Sequence, residues 1–268
     1  MEILLSNDDG YYSKGIRELE KVLSDRATIT MVAPETNCSG ASSSLTLKNP
    51  LRIRKFQSNG YYVNGTPSDC VYLALTSIVE SKPDLVISGI NYGQNLGDDV
   101  LYSGTVGAAM GGRSLGVPCL AISITSLKPQ YLETALTVTK LLVDNYINHR
   151  SLPNQVYNIN IPDIPYEEVQ EPLLTRLGKR DTQEAITRPD KDRYGDTIYW
   201  VGGPPPPKDA SEGTDFFAIE NNHVSITPLV TDLTDYQSLS AKDHSKDGGV
   251  KDGLLFFLMN CSDEAFVH

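Results

Sequence analysis

The stretch Asp84-Leu85-Val86-Ile87-Ser88 constrains the fold more than any other, because it is a short apolar run with no polar alternation. A strand that faces water on one side alternates apolar and polar residues. An unbroken run belongs to a strand covered on both faces, as parallel strands in α/β proteins are. Further segments of apolar and β-branched residues occur at Ile3 to Ser6, Thr28 to Val32 and Cys119 to Ser123. Gly15 to Ser24, Ser68 to Val79 and Tyr131 to Tyr146 carry apolar residues near helical spacing and are the expected covering helices. Strands alternating with helix-length segments predict βαβ units, an α/β fold and a doubly wound, mostly parallel sheet.

After about residue 150 the pattern changes. Val156 to Ile161 reads as one more strand, but proline-rich connections and irregular β-like pieces follow, so the second half looks like an appendage. Pro204 to Pro207 excludes a helix and a central strand, which predicts an extended loop or arm beside Tyr199-Trp200-Val201. Trp200 is expected to pack in a core or an interface, a commoner duty for an aromatic than direct substrate contact. The tail contains Leu254-Leu255-Phe256-Phe257-Leu258, too short a run to span a bilayer, and no structure is assigned to it.

The 268 residues carry a formal net charge of -11, which argues against a nucleic-acid polymer as partner, since that needs clustered Lys and Arg. An acidic protein that handles a phosphate ester must reverse its own field locally, and a bound cation does so compactly. Cys38, Cys70, Cys119 and Cys261 lack the spacing of zinc or thioredoxin-like motifs, and a disulfide framework is not expected. Met1 leads at once into a strand-like segment with no basic lead or apolar run of spanning length. A soluble, cytoplasmic setting without membrane partners is the expectation.

Three loops carry candidate chemistry, each at the end of an expected strand. Ser6-Asn7-Asp8-Asp9-Gly10 runs a strand into adjacent carboxylates and a glycine. Neighbours on a continuing strand point to opposite faces, so both carboxylates serve one site only if the chain bends, and Gly10 permits the bend. Ligands of open α/β sheets bind beyond the carboxyl ends of strands, where this pair would sit. Two like charges held so close call for a proton or a cation, although Asn-Asp-Asp-Gly alone reads equally well as a turn.

The second loop, Asn37-Cys38-Ser39-Gly40-Ala41-Ser42, sets small hydroxyl residues beside glycine. It could bring backbone N–H groups to a phosphate while Ser39 offers a neutral oxygen to a metal, or it could be a plain polar loop. No histidine lies near Cys38 in sequence and nothing electropositive flanks it, so it reads as a bystander. The third loop runs from Ser88-Gly89-Ile90-Asn91 through Asn95 and Asp98-Asp99 to Tyr102-Ser103-Gly104-Thr105, rich in glycine and asparagine, and could open a helix as an anion-binding terminus. Loops of this length in compact domains are usually functional. Neither a Walker pattern nor a Gly-x-Gly-x-x-Gly fingerprint follows the first strand, and the four histidines are scattered. Oxygen donors remain, and they select hard ions such as magnesium or manganese.

Taken together, these loops resemble the SurE family of survival-protein nucleotidases. Asn64-Gly65-Thr66-Pro67-Ser68-Asp69-Cys70-Val71 and the segments Gly213-Thr214-Asp215 and Ser225-Ile226-Thr227-Pro228-Leu229 resemble family segments too, so the similarity covers about residues 1 to 236. The resemblance implies a Rossmann-like core over 1–150, with 151–236 supplying the rest of the core and a β-rich oligomerisation arm, and 237–268 a divergent tail. It implies hydrolysis of nucleoside 5'- or 3'-monophosphates, with polyphosphate as a secondary substrate, by a homodimer or homotetramer. The family's metal ligands fall on Asp8, Asp9, Ser39 and Asn91, for one Mg or Mn ion per subunit, with Asp8 and Asp9 catalytic. Asn7, Gly40, Ser42, Asn95, Ser103, Gly104 and Thr105 match phosphate- or substrate-side positions. Gly111 departs from a glutamate common in the family, and Ser13-Lys14 from an Ala-Pro pair. A metal-responsive nucleotide-binding regulator that does not hydrolyse its ligand is the alternative reading of the same loops.

Overall fold

In the computed structural model, which describes residues 1–149, 152–181 and 187–236, the apolar runs pair into one sheet. Its strands are β1 (Glu2–Ser6), β2 (Thr28–Pro34), β3 (Ile53–Gln57), β4 (Gly60–Val63), β5 (Leu85–Tyr92), β6 (Cys119–Ile124), β7 (Val156–Ile161), β8 (Gln170–Leu174) and β13 (His223–Leu229). They lie in the order β3-β4-β2-β1-β5-β6-β7-β13-β8. From β4 to β7 every pairing is parallel, while β3 and β13 run antiparallel to β4 and β7. The chain leaves β1 for β2 on one side and returns to place β5 on the other, so β1 and β5 flank the point where the strand order reverses.

Helices cover both faces, as the unbroken apolar runs require. Ile3, Leu5, Leu85 and Ile87 turn to a core shared with Ile16, Leu19 and Leu23 of α1 (Lys14–Leu23) and with Ala135, Val138 and Val143 of α4 (Leu132–His149). Leu4 and Val86 turn to the opposite core, with Cys70 and Val71 of α2 (Pro67–Leu73) and Val106, Ala108 and Ala109 of α3 (Gly104–Gly111). The helix expected over Ser68 to Val79 starts at Pro67, because Thr66 and Asp69 form a capping box. It ends as α-helix at Leu73 and continues as a π-turn over Ala74–Ile78.

The second half supplies more than an appendage, since β7, β13 and β8 extend the main sheet. Outside it, β10 (Thr187–Lys191) and β11 (Thr197–Val201) form an antiparallel hairpin, and β12 (Pro207–Asp209) pairs β9 (Lys179–Arg180). Pro204 to Pro206 lie outside helices and strands, and Pro207 opens β12. Trp200 lies on the hairpin at 53% exposure with Nε1 donating to Asp190 Oδ2 at 3.4 Å, so it is not a core residue. The helix α5 (Asp215–Glu220) precedes β13.

By contact density the chain divides into Met1–Leu229 and Val230–His268. Within the described part of the second unit, 230–236, Asp232 Oδ1 accepts from the Thr234 N–H at 2.9 Å. The tail segment 237–268, with its Leu254–Leu258 run, lies outside the described residues. Among the described residues no helix is long and apolar enough to cross a membrane.

Candidate active site

The chain bends after Ser6, where β1 ends, because Asn7 ties the next residues into a turn. Its Nδ2 donates to Gly10 O at 3.0 Å and Ser13 Oγ at 2.8 Å. Gly10 takes φ +97, a conformation that favours glycine, and Tyr11 N–H donates to Pro34 O at the end of β2. The bend delivers both carboxylates to the crevice between β1 and β5.

Asp8 is only 3% exposed and points at the N-terminus of α3. Thr105 Oγ1 donates to Asp8 Oδ1 at 2.6 Å, and the Thr105 N–H also reaches the carboxylate. A helix N-terminus favours a negative charge placed there. Burial is the stronger influence on Asp8 and raises its pKa, with the Thr105 and backbone hydrogen bonds opposing. Asp9 is pushed up to about 6, chiefly by burial and then by the charge of Asp8, while an N–H from Tyr92 favours its ionised form. Among the described residues no Lys or Arg forms an ion pair with either carboxylate.

The second loop closes against this pair. The Cys38 N–H donates to Asp8 O at 2.7 Å, and Asn37 Nδ2 donates to Asp9 Oδ1 at 3.3 Å. Asn37 Oδ1 accepts from the Ser39 N–H at 2.9 Å, which sets the exposed Ser39 beside the pair. Gly40 has φ +78 and open space where a side chain would stand. Ser42 joins the second loop to the third, with its N–H on Tyr102 O at 3.0 Å and its Oγ on Leu101 O at 2.6 Å.

On the other side, β5 runs past the loop expected after Ser88 and reaches Tyr92. Its register against β6 shifts between Ser88 and Asn91, a bulge that re-aims the strand end. Asn91 therefore sits next to Tyr92, whose N–H meets Asp9. Asn91 Nδ2 donates to Gly93 O at 2.7 Å, which engages the half of the amide that cannot serve a cation.

The structure thus brings Asp8, Asp9, Asn91 and the Ser39 loop to one crevice. Asp carboxylates with a hydroxyl and an amide oxygen are a donor set that suits a hard divalent cation, and two adjacent acids, one buried and one partly buried, are relieved by a cation or a proton. No group of three or more His, Cys, Asp or Glu able to hold a metal occurs among the described residues, so the neutral oxygens of Ser39 and Asn91 are needed to complete such a set.

The remaining expected residues divide. Ser103 caps α3, accepting from the Val106 N–H at 3.1 Å, and Gly104 lets the helix touch Asp8. Thr105 directs its donors to Asp8. Asn95 Nδ2 goes to Ser123 Oγ at 2.9 Å and its N–H to Asn160 Oδ1 at 2.8 Å, so this residue anchors the third loop. Of the anchoring partners, Asp99 and Asp215 stand in segments marked in the sequence but without a role, and Asn158, Asn160 and Arg180 were not singled out. Asn158 and Asn160 both donate to Asn95 O, Asp215 accepts from Gly97 N–H and Gly178 N–H, and Arg180 is bidentate on Asp99 at 2.8 and 2.5 Å. One signal was available: two asparagines spaced i, i+2 in the otherwise apolar Val156-Tyr157-Asn158-Ile159-Asn160-Ile161 share one face of a buried strand.

Comparison with known proteins agrees with this architecture. Residues 3–184 match the family model for survival protein SurE. A curated relative from Nitrosomonas eutropha, named 5'-nucleotidase SurE, is 50% identical over 256 residues, covering 96% of this chain and all of that relative. One of the same name from Methylococcus capsulatus is 51% identical over 240 residues, 89% of this chain and 95% of its own. The crystal structure of the SurE protein from Aquifex aeolicus superposes with a TM-score of 0.78 at 42% identity, covering 90% of this chain and 98% of that one. With the match spanning most of the chain and the fold in agreement, this chain belongs to the survival protein SurE family.

Proposed function

We propose that the chain is a divalent-metal-dependent 5'-nucleotidase, which hydrolyses nucleoside monophosphates to nucleoside and inorganic phosphate. The observation that carries the reading is the adjacent carboxylates of buried Asp8 and partly buried Asp9, with no Lys or Arg paired to them among the described residues and with neutral oxygens beside them. The names of relatives at 50% identity over nearly the whole chain support the substrate class.

Asp8, Asp9, Ser39 and Asn91 would hold one Mg or Mn ion, which when bound neutralises charge on the phosphoryl group and acidifies water. Asp8 is fixed by Thr105 and serves as the rigid member of the set. Asp9, the more open carboxylate, accepts the proton of the attacking water. Gly40 and Ser42 border the phosphate from the second loop, and the cap of α3 borders it from the third. Asn7 holds the turn on which the pair is presented.

Phosphate release from AMP, measured after EDTA treatment and again with Mn or Mg restored, tests the reading. Release that depends on the added ion is expected. Tight AMP binding with no release in either state would replace it with a nucleotide-sensing role. Nucleoside 3'-monophosphates and polyphosphate belong in the same substrate panel, as slower substrates of the same site.

A further inference from the structure

Four aromatic rings form a stack immediately after the carboxylate pair. Tyr11 lies nearly parallel to Tyr62 with ring centroids 4.5 Å apart and leans on Phe56 at 4.9 Å. Tyr12 lies against Tyr11 at 3.8 Å and is itself 78% exposed. Three of the rings are inside or partly covered, whereas the outermost presents its surface to solvent. Other aromatics of the chain are also open to solvent, Tyr102 at 70% and Tyr194 at 74% among them; what distinguishes Tyr12 is that it tops a packed ring cluster on the turn that directly follows the carboxylate pair.

The placement is fixed rather than incidental. Tyr11 and Tyr12 are the corner residues of the turn closed by Ser13 N–H on Gly10 O at 3.0 Å. Asn7 grips that turn at both Gly10 O and Ser13 Oγ, and Asn7 immediately precedes Asp8. The turn that carries the exposed ring is therefore held by the side chain next to the carboxylates. Tyr12 lies three positions beyond Asp9, at most about 11 Å of chain, which is within the span of a nucleoside monophosphate whose phosphate lies at the acids.

We propose that Tyr12 is a stacking platform for the nucleobase of the substrate, recognising its aromatic face and not its hydrogen-bonding edge. The inference rests on the nucleotidase reading above. An acidic protein has little positive charge to offer a substrate away from its bound ion, and a base is neutral, so ring stacking adds binding without adding charge. Every base has a π-face, so a platform of this kind tolerates different bases and favours the larger ring systems. Adenine and guanine nucleotides are thus served nearly alike, ahead of cytosine and uracil nucleotides.

The test compares kcat and KM for AMP, CMP and ribose 5-phosphate in the wild type, Tyr12→Ala, Tyr12→Trp and Tyr102→Ala. Ribose 5-phosphate keeps the ester and removes the base. For Tyr12→Ala, kcat/KM for AMP should fall about fivefold to tenfold, mainly through KM, while ribose 5-phosphate changes less than twofold. The preference for AMP over CMP should collapse towards one, and Tyr12→Trp should restore it. Equal losses on AMP and ribose 5-phosphate, or an unchanged ratio of AMP to CMP, would overturn the proposal. So would a base-dependent loss in Tyr102→Ala that Tyr12→Ala does not share. Absence of phosphate release from every substrate in the metal-loaded wild type would instead remove the nucleotidase reading itself.

Discussion

The two faces of the sheet are built on opposite principles. The face under α1 and α4 is filled with large side chains, among them Ile3, Leu5, Ile16, Leu19, Leu23 and Ile87. The face under α2 and α3 is lined by Ala, Val and Cys, with glycines along α3 itself. Bulk on the first face removes apolar area from water at about 25 cal/mol per Å². Smallness on the second lets a helix approach so closely that its N-terminus meets Asp8. A methyl group placed on Gly104 would lie 2.8 Å from Asp8 Cβ, and one on Gly107 would lie 2.3 Å from Ser42 O. Bulk is concentrated on one side, and the positioning of the candidate-site loops on the other.

Mutations on the two faces should therefore fail differently. The largest effect is expected for Asp8→Asn, on the order of 1000-fold or more in kcat for AMP, with a melting temperature no lower than wild type because a buried charge has been removed. Near-normal turnover in this variant would break the assignment of the site to the small-residue face. On the other face, Leu19→Ala should cost about 2–5 kcal/mol of unfolding free energy, read by denaturant titration. The folded fraction should keep wild-type kcat, and a loss of kcat there would blur the division.

A sharper probe is Gly104→Ala. One methyl group must displace Asp8 or the start of α3, and a shift of about 1 Å at reacting groups can cost on the order of 100-fold in rate. Steady-state kinetics should show that loss while circular dichroism remains unchanged. The smallest effect is expected away from both faces, where Trp200→Ala on the exposed hairpin should change the chain's own unfolding free energy by less than about 0.5 kcal/mol.

The same contrast explains what could be read in advance. Central strands are covered on both sides, so Leu85-Val86-Ile87 announced itself as an apolar run. The edge strand β3, Ile53-Arg54-Lys55-Phe56-Gln57, is mostly exposed and charged, so neither an apolar run nor alternation marked it. The six residues of α5 are too few to display a helical period. Within the site, carboxylates at a strand end were visible because chemistry and position coincide in adjacent letters. Asn91 was expected in a glycine- and asparagine-rich loop beginning where the apolar run ends at Ser88, whereas a bulge carries β5 onward to Tyr92. The clamp of Arg180 on Asp99 joins residues 81 apart, a pairing that only the folded chain reveals.

The two asparagines of β7 have a practical consequence. Because their amides hold the carbonyl of Asn95 from two strands away, the long segment beyond β5 is moored to the sheet's interior and is not a detachable insert. Anyone who transplants that segment onto another scaffold, or exchanges it to alter substrate choice, must bring Asn158 and Asn160 with it. Without them, the N–H and the carbonyl of Asn95 would lose their partners together.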